Sequence, residues 1–546
     1  MTTTSRFTLS AQRRQLLENM LRAEGIERAA TPAVPVRPDP ADPVPLAFPQ
    51  SRFWFLNRYS ANSASYVISA ALRARGGLRS DVFAEACAAV VARHESLRTV
   101  FTEVDGVPVQ RVLPELPPEV EVVDLRGIDP ADLPAEVERR EAELVTRPFD
   151  LARGSLLRVR LLEAAADDTA VLVNIHHLVC DRWSMGVLLH DLIRTYSALV
   201  AGTPPALPPL RVQYADFAQW QHGTGAAAWE SDVDYWARQL EGAPAEPGLP
   251  TPLPRPREKT YRGSSVPLAL PPAVVARLRE LARAEGATPF MALTAAFKML
   301  LARLSGHDDV VVGTPVANRT LTELEPLVGC FLNTLALRTD LAGDPTYTEA
   351  LRRVAAVCLA AYDHQSVPFE QLVQRLQPPR SPAHTPVFQV LISYQNVPLP
   401  SWDDGPVRVE PLPLPARKAE FDLLLELFED GDVVGGKLEY STDLYDEPAA
   451  RALVERFTGL LGDVVADPGL RLSEITVSTD PGRYRAVGPV REWPEHGWAH
   501  ECLRDRARDT PDALAVRAGE GSLDFAGLDR AANRLAHWLR RFGVGP

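Results

Sequence analysis

Asn174-Ile175-His176-His177-Leu178-Val179-Cys180-Asp181-Arg182-Trp183-Ser184 is the stretch on which the reading of this chain turns. Just upstream, Val171, Val173 and Ile175 alternate as the inward residues of a strand do, and residues 183–199 place apolar side chains at helical spacing. The stretch is therefore the end of a strand, a short turn and the start of a helix. Strand side chains alternate faces, so His177 is expected on the side of Val171, Val173 and Ile175 and His176 on the other, and the two are not a ready metal pair. An imidazole at a strand end, followed by Asp181 where the helix dipole favours a carboxylate and by Ser184 as the expected cap, is a sound way to hold a base against a cavity wall. A satisfied core histidine beside a capping aspartate has the same pattern, and pattern alone leaves the two even.

Around this stretch helices and strands mix without a strict βαβ rhythm, which marks α/β (α+β) material. Helices are expected over residues 229–240, 290–304 and 347–363, and strands over 309–313, 331–337 and 387–394. Seven prolines between residues 32 and 49 deny that segment backbone donors and make it a stiff connector. It follows an amphipathic helix over 9–24 carrying Leu16, Leu17, Met20 and Leu21. A second proline cluster over 244–256 separates two lobes. The expected organisation is helix and connector over 1–45, first lobe over 46–215, second lobe over 216–477, linker over 478–497, and a fragment over 498–546 too short to complete a domain.

The 546 residues carry 71 acids against 58 bases, and a net charge of −13 argues against a protein that tracks nucleic-acid phosphates. No run approaches the ~18 uncharged apolar residues of a membrane span, and the start MTTTSRFTLS has no signal-peptide core, so a soluble, cytoplasmic protein is expected. Cys87, Cys180, Cys330, Cys358 and Cys502 lack the paired spacing of a zinc or dithiol site, and no metal is expected. No glycine-rich phosphate loop is present. Only Lys259, Lys298, Lys418 and Lys437 among the 58 bases are lysine, which with the Ala and Pro richness reads as codon bias rather than chemistry.

His176-His177-x3-Asp181 followed by Trp183-Ser184 resembles the HHxxxDGWS signature of the condensation domain of nonribosomal peptide synthetases. Leu46-Ala47-Phe48-Pro49-Gln50-Ser51-Arg52-Phe53-Trp54-Phe55-Leu56 is similar to that family's opening motif, with Pro49 where Ala is usual. Arg93-His94-Glu95-Ser96-Leu97-Arg98-Thr99-Val100-Phe101 resembles the second, and Tyr214-Ala215-Asp216-Phe217-Ala218-Gln219-Trp220 the fourth. Val328-Gly329-Cys330-Phe331-Leu332-Asn333-Thr334, running on to Arg338, resembles the fifth, and His364-Gln365-Ser366-Val367-Pro368-Phe369-Glu370 the sixth, with Ser366 in place of Asp. Six ordered motifs over residues 46–370 make a specific signal. In the tail, Thr510-Pro511-Asp512-Ala513, Leu523-Asp524-Phe525 and Ala532-Asn533-Arg534-Leu535-Ala536 resemble the beginning of an adenylation domain, whose nucleotide-binding motifs would lie beyond Pro546.

The resemblance implies two chloramphenicol-acetyltransferase-like lobes in a V-shaped pseudodimer, with a tunnel at their junction. Phosphopantetheine arms of a donor and an acceptor carrier domain enter it as substrates, and no cofactor is bound permanently. The implied reaction is amide formation between a donor acyl or peptidyl thioester and the amine of an acceptor aminoacyl thioester. His177 is the implied catalytic group. His176 and Asp181 would be structural, with Arg93 or Arg98 as the partner of Asp181. Arg182 stands where the family usually has Gly, and with Trp183 and Ser184 is placed at the tunnel. Asn333, Thr334 and Gln365 are further motif positions, read as strand-end hydrogen bonding more than catalysis. Cys180 as a nucleophile is disfavoured, because the implied transfer is direct. If Met1 is the native start, the donor must arrive in trans. The alternatives are a non-catalytic platform binding carrier domains or tailoring enzymes, a starter N-acylating domain, and an epimerisation domain. The order Trp183-Ser184 counts against the last.

Overall fold

The computed structural model describes residues 33–59, 66–129, 131–223, 229–244, 246–379, 381–395, 402–403, 405, 407–476, 499–518 and 521–543. The helix expected over 9–24 and the linker over 478–497 lie outside them. The chain divides into two compact units, Met1–Thr479 and Asp480–Pro546.

The larger unit begins with β1 (Val44–Pro45), α1 (Phe48–Tyr59), β2 (Val67–Arg75), α2 (Ser80–Arg93), β3 (Thr99–Val104), β4 (Val107–Val112), β5 (Glu119–Asp124), α3 (Leu133–Thr146), β6 (Leu157–Ala165), β7 (Asp168–His176), α4 (Arg182–Val200), α5 (Tyr214–Gly223) and α6 (Glu230–Gln239). It continues with β8 (Gly263–Leu270), α7 (Pro272–Ala284), α8 (Pro289–Ser305), β9 (Asp309–Val316), β10 (Asn333–Asp340), α9 (Tyr347–Asp363), α10 (Phe369–Leu376), β11 (Val390–Gln395), β12 (Arg408–Leu412), β13 (Leu423–Asp430), β14 (Val433–Ser441) and α11 (Glu447–Ala466). Every helix and strand expected from periodicity in the second half is present, displaced by no more than a few residues at its ends. Two mixed sheets organise the unit, in the orders β12-β2-β7-β6-β5 and β10-β9-β11-β13-β14-β8, beside a small sheet β1-β4-β3.

β7 is central to the first sheet and buried on both faces, which is why its sequence is a near-continuous apolar run. Val171, Val173 and Ile175 join the core formed with α2 and α4, while Ala170 and Leu172 pack with Leu133, Val137 and Leu144 of α3. In the second sheet Leu423, Leu425 and Leu427 of β13 pack on the side of α8 and α11. The Thr288 hydroxyl caps α8 by accepting from Met291 N, and Gly306, at φ 74°, ends it in the left-handed region that favours glycine.

The two lobes are not cut from the chain at a single point. β12, well inside the span expected for the second lobe, adds antiparallel to β2 at the edge of the first sheet, and Val407 and Val409 enter the first lobe's core. α5, expected to begin the second lobe, packs with Val44, Ala47 and Val112 of the first and with Leu324, Leu327 and Phe331. The compact body also starts earlier than the proline pattern suggests. Val34 is buried, Val34 N donates to Glu323 Oε1 (2.6 Å), and the Arg37 guanidinium is buried between Asp216 (2.9 Å) and Glu95 (2.6 Å). Prolines hold the strap extended, and its buried side chains together with the two backbone donors of Val34 and Arg37 anchor it.

In the smaller unit α12 (Ala499–Asp509) packs on α13 (Phe525–Arg540) beside the hairpin β15 (Leu514–Ala518) and β16 (Gly521–Asp524), with Asp524 capping α13. No single helix among the described residues is long and apolar enough to cross a membrane.

Candidate active site

β7 ends at His176, and His177–Val179 form one 3-10 turn before Asp181 caps α4. His177 is thus delivered by the turn rather than by the strand, and the separation of the two rings survives for that different reason. His176 is buried edge-on to Phe149 (centroids 5.8 Å apart), and its Nδ1 accepts from Leu178 N (3.1 Å). That bond assigns the remaining ring proton to Nε2. Burial first, and then the neighbouring His177, Lys418 and Arg158, push its pKa down to about 3. His177 is half-buried and lies flat on Phe53, with ring centroids 4.4 Å apart at 15°. Its Nδ1 is 3.9 Å from Cys330 Sγ, and Nε2 has no hydrogen-bond partner among the described residues. Burial lowers its proton affinity, while Glu420, Asp181 and its own backbone oppose the shift. The ring is neutral near pH 7 and has one nitrogen to spare.

The Asp181 carboxylate is buried and fully used. Oδ1 accepts from Ser184 N (2.7 Å), Oδ2 accepts from Phe331 N (2.9 Å), and the cationic partner is Arg319 at 3.5 Å. Neither Arg93 nor Arg98 takes that place. Arg93 pairs with Asp191 (2.9 Å), which also accepts from His94 Nε2 (2.9 Å), and Arg98 bonds to Leu113 O beside Glu95. Arg319 reaches Asp181 because the chain between β9 and β10 crosses back over the turn, where its guanidinium stacks on Phe331 (4.0 Å) and donates to Ser184 Oγ (2.7 Å), Leu327 O (2.9 Å) and Leu324 O. No motif contains Arg319, and no local signal in the sequence marks it.

Ser184 does not cap the helix; its buried hydroxyl donates to Gly329 O (2.6 Å) and accepts from Gly329 N (3.0 Å). Trp183 Nε1 donates to Glu325 O (3.0 Å), and Ser96 Oγ donates to Val328 O (2.7 Å). Side chains of two motifs in the first half thus clasp one loop of the second. A side chain at Gly329 would put its Cβ 1.9 Å from the Tyr214 ring, so only glycine allows that approach.

Arg182 is the first residue of α4 and has ordinary helical backbone, so the glycine usual there is not needed for φ. Its side chain extends to the second sheet, 3.8 Å from Glu426 and 5.5 Å from the Phe428 ring centroid, both on β13. Asn333 fastens a turn: Nδ2 donates to Gln365 O (2.9 Å) and Val367 O (2.7 Å), while Oδ1 accepts from Thr334 N (2.9 Å) and Phe369 N (3.0 Å). Thr334 is buried, and Gln365 Nε2 bonds back to Tyr362 O (3.0 Å). Asn333 and Gln365 thus fasten the backbone that leads into α10. Cys180 is buried with Sγ donating to Asp181 O (3.2 Å), and burial holds its thiol, like that of Cys330, well above the usual range. Neither is a ready nucleophile. No group of three metal-ligating side chains occurs among the described residues.

Motif reading gave no role to the charges near Phe53 and His177, Arg52 of the opening motif among them. Arg52 of α1 pairs with Glu420, Tyr66 packs on Phe53 (5.6 Å), and Lys259 donates to Glu420 O.

Residues 41–483 match the family described as "Condensation domain". The chain belongs to that family. It is 37% identical over 515 residues to one of the linear gramicidin synthase proteins of Brevibacillus parabrevis, covering 92% of this chain and 10% of that protein. It is 39% identical over 545 residues to phosphinothricin tripeptide synthetase PhsC of Streptomyces viridochromogenes, covering 98% of this chain and 50% of that protein. The chain therefore spans half or less of these relatives. Among solved structures it is similar to the X-domain in the complex of the X-domain and OxyB from teicoplanin biosynthesis, with 32% identity, a TM-score of 0.72, and coverage of 83% of this chain and all of that one. Likeness to solved condensation domains, among them the first condensation domain of the calcium-dependent antibiotic synthetase (TM-score 0.67), confirms the two-lobed chloramphenicol-acetyltransferase-like fold.

Proposed function

We propose that this condensation domain forms an amide bond between a donor acyl or peptidyl thioester and the amine of an acceptor aminoacyl thioester, each on the phosphopantetheine arm of a carrier domain. The observation that carries the reading is the half-buried, neutral His177, stacked on Phe53 with Nε2 unpartnered. An α-amino group titrates at ~7.7–8.0, so part of it is neutral near pH 7 and the imidazole need not abstract a proton before attack. It orients the amine instead. The nitrogen attacks the thioester carbonyl, His177 takes the proton that the new C–N bond makes acidic, the C–S bond breaks, and the donor thiol leaves with a proton returned to it. Arg182, reaching from α4 toward Glu426 and Phe428, gates entry of the acceptor arm. Residues 498–546 begin an adenylation domain, a reading supported by the alignment with PhsC running over 98% of the chain. The domain acts in the cytoplasm, with the carriers and that adenylation domain as partners.

A platform that binds a tailoring enzyme is the second reading, favoured by the likeness to the X-domain solved with OxyB. Both are tested by incubating the chain with loaded donor and acceptor carriers and reading products by intact-protein mass spectrometry. Amide formation that falls about 10²–10⁴-fold in a stable His177→Ala variant supports catalysis. No product from the unaltered chain supports the platform. In the same assay Arg182→Gly broadens tolerance for small acceptors, and an unchanged selectivity profile removes the gate.

A further inference from the structure

The crossing loop, residues 317–332 between β9 and β10, holds the turn that delivers His177. Arg319 pairs with Asp181 from one end of the loop, and Phe331 N donates to the same carboxylate (2.9 Å) from the other. The strap over residues 33–45 reaches this loop at three places. Directly, Val34 N donates to Glu323 Oε1 (2.6 Å), and Glu323 Oε2 is 2.8 Å from Arg211. Glu323 precedes Leu324, whose carbonyl accepts from Arg319, and Val34 packs in one cluster with Leu324, Leu327 and Phe331. The other two places are reached through a neighbour. The Ser96 hydroxyl donates to Val328 O (2.7 Å), and beside it Glu95 Oε2 accepts from Arg37 Nη2 (2.6 Å). The Tyr214 hydroxyl donates to Cys330 O (2.6 Å), and two residues along α5 Asp216 Oδ1 accepts from Arg37 N (3.1 Å) and Nη1 (2.9 Å).

Arg37 is buried, and its guanidinium spans two carboxylates, each next to a side chain that holds the loop. Without that cation Glu95 and Asp216 face each other's charge in a poorly solvated place, and Arg98, 3.5 Å from Glu95, compensates on one side alone. A shift of either carboxylate carries Ser96 or Tyr214 with it. A planar fork can hold two carboxylates at once, whereas an ammonium acts as a single point charge.

We propose that the strap braces the crossing loop and through it positions His177 for the reaction, with Arg37 and Glu323 as positioning residues rather than mere anchors of the chain. The path runs from Val34 to Glu323 and Arg319, and from Arg37 to Ser96 and Tyr214 by way of their neighbours. Both branches end on the residues that fix Asp181 and the turn before α4. The proposal rests on the amide-forming reading above.

The test uses the full chain with loaded donor and acceptor carriers, well below the melting temperature of each variant. Glu323→Ala lowers kcat by about tenfold or more, up to the roughly hundredfold that a misplacement of about 1 Å can cause, and leaves KM for both carriers unchanged. Arg37→Met does the same and Arg37→Lys recovers part of the rate. Where Arg37→Met does not fold, Glu323→Ala and Arg37→Lys carry the comparison. A second readout needs no substrate: the Cε1–H resonance of His177, assigned in histidine-labelled chain with His177→Gln, shifts in Glu323→Ala by more than its line width. A kcat kept at the level of the unaltered chain, with only the melting temperature lowered, overturns the proposal. So does a lower kcat with the His177 resonance unmoved, because the loss then arises away from the ring. If the unaltered chain makes no amide but the resonance shifts, the amide-forming reading fails and the brace stands; if it does not shift, both fail.

Discussion

The two lobes share a plan, a mixed sheet packed on helices, but they bury charge for different purposes. In the second lobe Lys298 is fully buried and donates to Leu337 O (2.5 Å) and Thr339 Oγ1 (2.7 Å), tying α8 to β10 inside one core. In the first lobe buried charges hold segments that arrive from far along the chain. Arg319 is 138 residues from Asp181, and Arg37 is 179 from Asp216. Apolar packing builds each lobe, and ion pairs at the first lobe's surface of assembly decide what sits against the His177 turn. Such pairs are costly to desolvate, so breaking one hurts more than forming it helps.

The largest effect is expected at the clasp. Asp181→Asn or Arg319→Met leaves one buried charge unpaired and should cost about 3–5 kcal/mol in urea unfolding, with the double variant costing less than the sum. Additive losses would mean the two groups act separately. Gly329→Ala tests the same junction through shape: its Cβ collides with Tyr214, and overpacking of this kind costs about 1–3 kcal/mol. A melting temperature equal to that of the unaltered chain would show that the crossing loop yields. The smallest effect belongs to Lys298. Burial pushes its pKa down to about 7, from 10.5 for a free lysine, so between those values the unfolded chain holds the proton more tightly and stability rises with pH. Lys298→Met removes that slope, a difference on the order of 1–2 kcal/mol between pH 7 and pH 9. Parallel pH profiles of the two proteins would show the amine stays charged in its core.

Legibility tracked range along the chain. The strand, turn and helix around His176-His177 were readable because their signal is local, and so were α8 and α9. The strap over residues 33–45 was misread as a connector, since its anchor is Arg37 on Asp216 and Glu95, and prolines report backbone stiffness, not what their neighbours' side chains meet. The scarcity of lysine reads as codon bias, and where the four lysines stand, all buried or half-buried, was not legible in the sequence.

The sequence by itself determined the strand, turn and helix around His176-His177, the separation of the two rings, the helices and strands read in the second lobe, and the family. Those follow from periodicity, turn chemistry and ordered motifs, all of which act over a few residues. Only the tertiary structure decided that Arg319 faces Asp181, that β12 completes the first sheet, and that Glu420 pairs with Arg52 of the opening motif. An ion pair depends on which segments come within 4 Å, and in this chain loop crossings more than a hundred residues apart set that distance.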